Sequence, residues 1–534
     1  MACISANEMQ NRLEGKPYLQ DKLYINGFLI TEKSFEFTGG YPFYDNWSVL
    51  VLWRFKVYTH KNTILTVKRA GDVVFFMLGH AVDPFDHLTD EASILEKLAA
   101  AYGEGLEAYL EAQNDLTGVF CTGLINNEMI YLTNDCAGMQ IVYYGTVNGE
   151  HFFTSHSKLA ADLLGLSQSS YIERLVGSRF YHYMGTWLPG DLSPYPELRR
   201  LIPNHYASIC EDGSIETKRF FPIDSIVENE DPDGFEKTIL WLSDVLHETL
   251  SLYAEKWPDK KTVISVTGGR DSTTTLACAN GLYSKFGYFS YISNEAEKAD
   301  ALAAHKICQK LGLNHEIYEI PQNDSELEDI ETFASVLECN AGCIGKNNPN
   351  DARKRLYFIQ NRKYDVEIKS WVNELGRGSQ YVKYNKKRFP KKPNASYCRA
   401  LHKIYVSPRL IHETDQVFSQ YLKKYYASDV FDKAPWMELF WWEFCWSGGE
   451  GIFLTAEHRT SSEIVIPYNN RRYLARMLTV PLERRIVDDI PKGIIQHMNP
   501  QIADSGIVVK NLKHTDKRSL LMRAYLEIFS KIRI

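Results

Sequence analysis

The spacing of hydrophobic residues divides the chain into a strand-rich first third and a second part in which strands and helices alternate. Runs of β-branched and aromatic residues, split by Gly, Asn and Asp turns, predict strands at 23–30, 47–58 and 63–68. Apolar residues at helical spacing predict a helix over 92–110. Two further apolar runs within 118–133 are typical of a hairpin that turns at Asn126 and Asn127.

The second part follows an acidic segment with two prolines, residues 222–234, which we interpret as a domain boundary. An amphipathic helix is predicted over 235–257. The elements predicted after it are strand 262–266, helix 272–280, strand 288–292, helix 299–311 and strand 315–320. Such alternation favours a parallel sheet covered on both faces, and the chain from 326 onward is predicted to be mainly helical. We therefore expect an α/β protein with domains at 1–222 and 235–534.

Composition narrows the class of protein. A chain of 534 residues that is 44% hydrophobic can bury a core in more than one domain. The net charge of -7 argues against a protein that binds nucleic acid mainly by charge. The longest apolar runs of the chain are shorter than the roughly 20 residues that span a bilayer. The N-terminus has no secretory pattern. The ten cysteines contain no C-x-x-C, so we expect reduced thiols and a cytoplasmic protein without a membrane partner.

The strongest chemical signal is the sequence TGGRDST at 267–273, which follows a β-branched run and precedes a predicted helix. Two glycines let backbone N–H groups surround an anion, and the helix N-terminus adds its positive dipole end. Hydroxyl groups can donate to phosphate oxygens, and Asp271 can hold Mg²⁺. The candidate nucleotide-binding residues are Val266, Thr267, Gly268, Gly269, Asp271, Ser272 and Thr273. A plain strand–turn–helix with an acidic N-cap is the alternative interpretation.

This loop resembles the S-G-G-x-D-S pyrophosphate loop of the asparagine synthetase-like ATP pyrophosphatases, the PP-loop proteins. Segments 297–304 and 311–315 are similar to the next strand–helix–strand unit of that family. The segments that resemble its N-terminal glutaminase-type domain are 115–120, 133–144, 152–157 and 199–205. The resemblance implies an Ntn-type α+β sandwich, then a PP-loop parallel-sheet domain with a helical C-terminal part. In type the chain is similar to β-lactam synthetases and lasso-peptide cyclases.

The first domain departs from the glutamine-hydrolysing members of that family. Their nucleophile is a cysteine that becomes the first residue, and its own α-amino group serves as the base. Here Ala2 occupies that position, and the nitrogen of Cys3 belongs to a peptide bond. A thiol needs an adjacent base or a positive environment to react. The resemblance therefore implies a degenerate glutaminase domain, with Cys3 as a working nucleophile as the alternative.

The family's acidic metal-binding patch has its best match at 371–378. The resemblance implies that Glu374 joins Asp271 as a magnesium ligand, while Asn373 stands where an aspartate is usual. A capping turn closed by glycines is the alternative interpretation of this segment. Residues 466–474 look like the family's P-F-x-D segment, with the aspartate changed to Asn469 or Asn470.

Two cations complete the predicted catalytic set of Lys492, Arg270 and Glu374. Segment 489–495 resembles the one that carries a catalytic lysine in amide-forming relatives, which implies that Lys492 stabilises charge on an acyl-adenylate. A surface lysine without chemistry is the alternative. Arg270 replaces a residue that is usually apolar, so it could assist pyrophosphate departure or pair with the substrate.

The resemblance implies an AMP-forming carbon–nitrogen ligase that uses ATP and Mg²⁺. It would adenylate a small-molecule, peptide or sugar-acid carboxylate and join it to ammonia or a substrate amine, in a biosynthetic pathway. The basic run 383–392 could clamp an anionic substrate or be a solvated loop, and nucleic acid is a disfavoured partner. A homodimer is compatible with the sequence. Two alternatives stay open: a PP-loop enzyme that modifies a nucleotide or tRNA, and a non-catalytic scaffold.

Overall fold

A computed structural model describes residues 3–222, 224–228, 231–345, 349–426, 430–504 and 517–533. The first 222 residues contain two antiparallel six-stranded sheets. Their strands are β1 (Phe28–Thr31), β2 (Trp47–Leu52), β3 (Phe55–His60), β4 (Leu65–Ala70), β5 (Val73–Val82), β6 (Thr117–Ile125), β7 (Ile130–Asn134), β8 (Tyr143–Val147), β9 (Glu150–Thr154), β10 (Leu198–Arg200), β11 (His205–Ile209) and β12 (Ile215–Arg219). The strand orders are β10-β8-β9-β1-β3-β2 and β12-β11-β7-β6-β5-β4.

The two sheets face each other across an apolar core, because alternate side chains of each strand point to opposite faces. On β5, Phe76 and Leu78 point into the core between the sheets, while Phe75 and Met77 point to the outer face. Helices cover the outer face of each sheet. The helices of this part are Ala6–Leu13, Pro17–Gln20, Glu91–Tyr102, Leu106–Ala112, Ser157–Leu164 and Ser170–Val176.

The second part contains a parallel sheet of five strands, β13 (Thr262–Ser265), β14 (Gly287–Ile292), β15 (His315–Glu319), β16 (Val366–Ile368) and β17 (Glu463–Val465). Their order is β15-β14-β13-β16-β17. The chain therefore fills one side of β13 and then crosses to the other side with β16. In open α/β sheets the ligand site lies at such a switch point, beyond the carboxyl ends of the strands.

Helices cover this sheet and make up most of the remaining chain, as predicted. They are Pro232–Lys256, Arg270–Cys278, Glu295–Lys310, Ile330–Asn340, Pro349–Gln360, Ser379–Lys383, Ala395–His402, Pro408–Tyr425, Val430–Lys433, Trp436–Phe440, a π-helix at Trp441–Glu450, Gly451–Ala456, Arg471–Leu478, Leu482–Arg485, Asp489–Met498, Pro500–Ala503 and Lys517–Phe529. None of the helices in the described ranges is long and apolar enough to cross a membrane.

The two halves of the chain share one continuous apolar core. Val119 and Met139 of the first half belong to the same buried cluster as Leu246 and Ile464 of the second. Polar contacts reinforce this junction, since His80 bonds the Ile464 carbonyl at 2.9 Å. The acidic segment predicted as the boundary, residues 222–234, begins after β12 ends at Arg219 and runs into the helix that begins at Pro232.

Cys3 and Cys343 form a disulfide, with their Cα atoms 5.4 Å apart. The expectation that all ten thiols are reduced is wrong for this pair, because the fold brings residue 3 against the chain that follows helix Ile330–Asn340. The other eight cysteines are free, and seven of them are buried. The disulfide also removes Cys3 from the thiols that could act as a nucleophile.

Candidate functional site

Two loops meet at the carboxyl edge of the parallel sheet, one after β13 and one after β16. The first is the predicted 267–273 segment, which leads into helix Arg270–Cys278. The second contains a short 3₁₀ helix, Asn373–Arg377. The hydroxyl of Thr275, on that helix, lies 2.7 Å from the hydroxyl of Ser370, which follows β16. This junction is the switch point of the sheet, where a ligand site is expected in an open α/β sheet.

Hydroxyl groups brace the first loop from within. Ser272 Oγ lies 2.9 Å from Thr267 Oγ1 and accepts a hydrogen bond from the Thr267 N–H at 3.0 Å. The N–H of Gly269 donates to Thr267 Oγ1 at 3.1 Å. The hydroxyl of Thr273 donates to the carbonyl of Gly269 or Arg270, at 3.0 and 2.9 Å. These hydroxyls, which we predicted to bind phosphate, hold the shape of the loop in this structure.

Gly268 serves close packing. A Cβ atom at this position would lie 3.1 Å from Ala303 Cβ and 3.3 Å from Asp300 Oδ1. The missing side chain therefore lets the loop approach helix Glu295–Lys310. Val266, the residue before the loop, is fully buried and anchors it in the core of the sheet.

Asp271 is held from two sides at the start of its helix. Asn373 donates through Nδ2 to Asp271 Oδ1 at 2.8 Å, and Arg377 donates through Nη1 to Asp271 Oδ2 at 2.8 Å. Arg377 also donates through Nε to Asp488 Oδ1 at 2.7 Å. An aspartate at position 373 would face Asp271 with a like charge, whereas the asparagine supplies a donor. Asn373 is thus a hydrogen-bond partner of Asp271. The family resemblance had instead implied that Asn373 is a weakened metal ligand.

Glu374 follows Asn373 and adds a second carboxylate near Asp271. Burial, and after it the neighbouring Asp271 charge, raise the pKa of Glu374 to about 8. Burial also raises the pKa of Asp271, which Arg377 and Asn373 oppose. A carboxylate whose pKa is raised by burial and by a neighbouring carboxylate favours a cation beside it. The pair therefore suits Mg²⁺, which takes one or two protein carboxylates together with phosphate oxygens.

The backbone at this second loop is held in an unusual conformation. Val372 has φ 77° and ψ -20°, a left-handed region that a β-branched residue rarely adopts. Such strain, on the order of 1–3 kcal/mol, is concentrated at functional sites. Here it turns the chain so that Asn373 and Glu374 reach the loop after β13.

The two predicted cations are placed differently. Arg270 is the first residue of helix Arg270–Cys278 and lies near Arg377 and Asp488. Its half-buried position lowers the pKa of its guanidinium. Lys492 lies on helix Asp489–Met498, which packs against helix Arg270–Cys278. Its ammonium donates to the Val487 carbonyl at 2.5 Å and is half exposed. The helix that carries Lys492 thus lies beside the site, while the ammonium of Lys492 is bonded to the carbonyl of Val487, five residues earlier in the chain.

Sequence reasoning missed Arg377 and Asp488. Arg377 lies in segment 371–378, which we had compared with the family, but it matches no motif residue there, and Asp488 lies just before segment 489–495. An arginine two residues before the next helix, and an aspartate before a lysine-bearing helix, give no signal until the fold places them together. Asp488 also needs the fold to show its φ of 63°, with which it precedes helix Asp489–Met498.

The segment that resembles P-F-x-D joins the two halves of the chain. Asn469 donates through Nδ2 to the Gly118 carbonyl at 2.6 Å and to Asp135 Oδ1 at 2.8 Å, and it accepts from the N–H of Ala137 at 2.8 Å. Asn470 donates to the Asp115 carbonyl at 2.7 Å. Both asparagines are fully buried. They are structural contacts, and their amide groups are required there as donors.

Comparison with known proteins gives little beyond this geometry. No family model matches the chain, and no curated protein matches it. A solved glutamine phosphoribosylpyrophosphate amidotransferase from B. subtilis, complexed with ADP and GMP, aligns at 11% identity with a TM-score of 0.23. A structure described as the allosteric regulatory enzyme of purine biosynthesis aligns at 12% identity with the same TM-score. Each match covers 54% of this chain and 63% of the other, so the chain spans less than two thirds of either neighbour.

Proposed function

We propose that this protein is an ATP-dependent, AMP-forming ligase that makes an amide bond, with its nucleotide site at the junction of the loops after β13 and β16. One observation carries the proposal: Asp271 and Glu374 come together at the switch point of a parallel sheet, beside a glycine-containing loop that opens a helix. Phosphate groups bind at such helix N-termini, and carboxylates there suit Mg²⁺.

In this proposal the first half is an Ntn-type domain and the second a PP-loop domain. Two facing antiparallel sheets with helices on their outer faces support the first assignment. The strand order β15-β14-β13-β16-β17, with the TGGRDST loop after the central strand, supports the second. Both assignments follow the arrangement that the sequence resemblance implies and remain part of the proposal.

The residues present fit Mg²⁺ and the phosphates of ATP. A carboxylate offers about four lone pairs, so Asp271 keeps acceptor capacity beyond its bonds to Asn373 and Arg377. Asp271 and Glu374 would hold the ion, which when bound would neutralise phosphate charge. Gly268 keeps the loop free of a side chain where it approaches helix Glu295–Lys310.

The proposed reaction has two steps. A substrate carboxylate oxygen attacks the α-phosphorus, and the bond to the departing pyrophosphate breaks. An amine then attacks the acyl carbon, loses a proton and displaces AMP. Arg270 would act beside the departing phosphates, and Lys492 would act on the adenylate after its ammonium leaves the Val487 carbonyl.

The nitrogen would be ammonia or a substrate amine. Cys3 is bonded to Cys343 and its backbone nitrogen lies in a peptide bond, so it does not offer the thiolate that glutamine hydrolysis needs. The first half would then serve as a scaffold, which agrees with the apolar core that it shares with the second half.

The test is formation of AMP and pyrophosphate from Mg-ATP in the presence of the small-molecule extract of the protein's own cells. Wild type should release both and yield a product whose mass equals acid plus amine minus water. Lys492→Met should lower the rate at least tenfold if its ammonium joins the reaction. A product that retains adenylate would instead favour nucleotide or tRNA modification, and no turnover with any extract would favour a scaffold.

A further inference from the structure

A polar cavity of about 430 Å³ lies between the two halves of the chain, and we refer to it as the interdomain cavity. Segments 22–26 and 61–64 line it from the first half, and segments 358–365 and 459–463 line it from the second. Strand β13 begins just after Lys260, β16 just after Asp365, and β17 at Glu463. The cavity is therefore at the amino edge of the parallel sheet, opposite the edge that carries Asp271.

The lining is strongly cationic in a chain whose net charge is -7. Five cationic side chains line the cavity: Lys22, Lys61, Lys260, Arg362 and Arg459. Each of the two carboxylates in the lining already has an ion pair and a hydrogen bond within the protein. Asp365 pairs with Arg362 and accepts the N–H of Lys261 at 2.9 Å. Glu463 accepts from Asn26 at 3.1 Å and pairs with Arg459 at 3.1 Å.

Lys22 is one of the two lining cations that come from the first half of the chain. It is partly buried and makes no salt bridge with a described carboxylate, because nearby Asp21 pairs with Lys61 at 2.6 Å. Burial, Arg362 and Lys61 lower the pKa of Lys22 to about 8, and Asp21 opposes them. An ammonium in this position is stabilised by an anion that brings its own charge.

Ser462 gives a second, independent indication. Its side chain lines the same cavity and is 8% exposed, and its Oγ has no hydrogen-bond partner among the described atoms. Buried hydroxyls normally have a partner, so an unpartnered one beside a polar cavity is compatible with a ligand there. The Oγ of Ser462 is itself buried, so it would reach an anion near Lys22 and Arg362 by rotating about the Cα–Cβ bond.

We propose that the interdomain cavity binds the phosphate group of a small anion, either free phosphate or a phosphate monoester. A dianion suits a lining with five cations and two carboxylates better than a singly charged carboxylate does, and phosphate oxygens accept from both ammonium and hydroxyl groups. The cavity is larger than phosphate itself, which leaves room for a small ester. Because its walls belong to both halves, a bound phosphate bridges them. The site is independent of the proposed ligase chemistry.

The test uses the full chain at constant ionic strength, with orthophosphate and glycerol 3-phosphate as probes. Binding is measured by calorimetry and thermal unfolding for wild type, Lys22→Met, Arg362→Gln and Lys237→Met. Lys237 is an exposed lysine on helix Pro232–Lys256 and serves as the matched control. The probe that binds more tightly identifies the source of the phosphate.

We expect phosphate to raise the Tm of wild type and of Lys237→Met equally. Lys22→Met should weaken binding at least tenfold, yet raise the Tm without phosphate, because it removes a partly buried charge that lacks a salt bridge. A purely structural lysine would lower that Tm. Arg362, whose side chain is 68% exposed, can be replaced without threatening the fold and should also weaken binding.

The proposal is overturned if wild type binds neither probe below about 10 mM. It is equally overturned if Lys22→Met and Arg362→Gln both keep wild-type affinity, since phosphate would then bind elsewhere. If Lys22→Met does not fold, the comparison of Arg362→Gln with Lys237→Met decides.

Discussion

At the residue scale, the chemistry of the candidate site depends on which donors compensate the negative charge of Asp271. Its two carboxylate oxygens accept hydrogen bonds from Asn373 and Arg377, and Arg377 also donates a hydrogen bond to Asp488. Removing one partner of such a pair would leave an uncompensated carboxylate, which costs roughly 3–5 kcal/mol in buried sites. The arrangement holds the carboxylate in place before any ligand binds.

The replacement Asn373→Asp tests this balance. The new carboxylate would face Asp271 at the position where the amide now donates at 2.8 Å, so the free energy of unfolding should fall by about 1–3 kcal/mol without divalent ions. Magnesium should restore more stability to this variant than to wild type. Thermal unfolding with EDTA and with MgCl₂ measures both effects, and Asn148→Asp on an exposed turn is the control. Equal magnesium responses in all three proteins would contradict the proposed ion position.

A second residue-scale prediction concerns Glu457, which is 2% exposed. Burial and Asp351 raise its pKa to about 8, and Arg355 opposes them. Because the folded pKa lies above the ordinary value of 4.5, the stability from this group is present below pH 4.5 and lost as pH rises through 8. Glu457→Gln should therefore reduce the loss of stability between pH 5 and pH 8 by about 1–3 kcal/mol. Urea unfolding across that range checks it, and an unchanged slope would refute it.

At the element scale, the loop after β13 is fixed by its approach to helix Glu295–Lys310. Gly268→Ala would place a Cβ atom 3.1 Å from Ala303 Cβ, so either the loop or the helix must move. We expect a loss of about 1–3 kcal/mol in unfolding free energy and weaker ATP binding. The double variant with Ala303→Gly should recover part of both. If Gly268→Ala has wild-type stability and affinity, the loop does not depend on this contact.

The elements around this loop could be predicted from the sequence because their periodicity is strong. The strand predicted over 262–266 is β13 at Thr262–Ser265, and the helix predicted over 299–311 extends over Glu295–Lys310. Strands β16 and β17 were missed inside the part predicted as helical. Each has three residues, too few for an alternating pattern to show, and only pairing with neighbouring strands defines them.

The candidate site was predictable only in part for the same reason. The TGGRDST segment carries a local signal, because a phosphate loop needs glycines between a strand and a helix. Arg377 and Asp488 act through contacts across more than a hundred residues of chain, which no local pattern encodes. The partners of Asn469 lie in the other half of the chain, so no local pattern could predict its contacts.

At the scale of the whole molecule, the two halves depend on each other through buried polar contacts. Asn469 bonds to Gly118, Asp135 and Ala137, and Arg471 donates to the Asn134 carbonyl at 3.0 Å. Burial raises the pKa of Asp135, which its bond from Asn469 opposes. These contacts favour cooperative unfolding of the two halves.

Asn469→Asp is the sharpest probe of this junction. It would restore the aspartate of the family pattern, but it would also place a carboxylate against Asp135 and remove the donor to Gly118. We expect the free energy of unfolding to fall by about 2–4 kcal/mol with no gain in ATP turnover. Calorimetry and the AMP assay measure these two quantities. Unchanged stability with faster turnover would mean that position 469 belongs to the catalytic site.

The central claim is that ATP binds where the loops after β13 and β16 meet. Calorimetric titration with Mg-ATP tests it most directly, with Asp271→Ala as the variant and Asp86→Ala as the control. Asp86 belongs to the other described carboxylate cluster, with Asp83 and Asp115, where Lys97 already supplies the positive charge. We predict one ATP bound per chain, affinity at least tenfold weaker in Asp271→Ala, and wild-type affinity in Asp86→Ala. Equal affinity in wild type and Asp271→Ala, or no binding to either, would contradict the account.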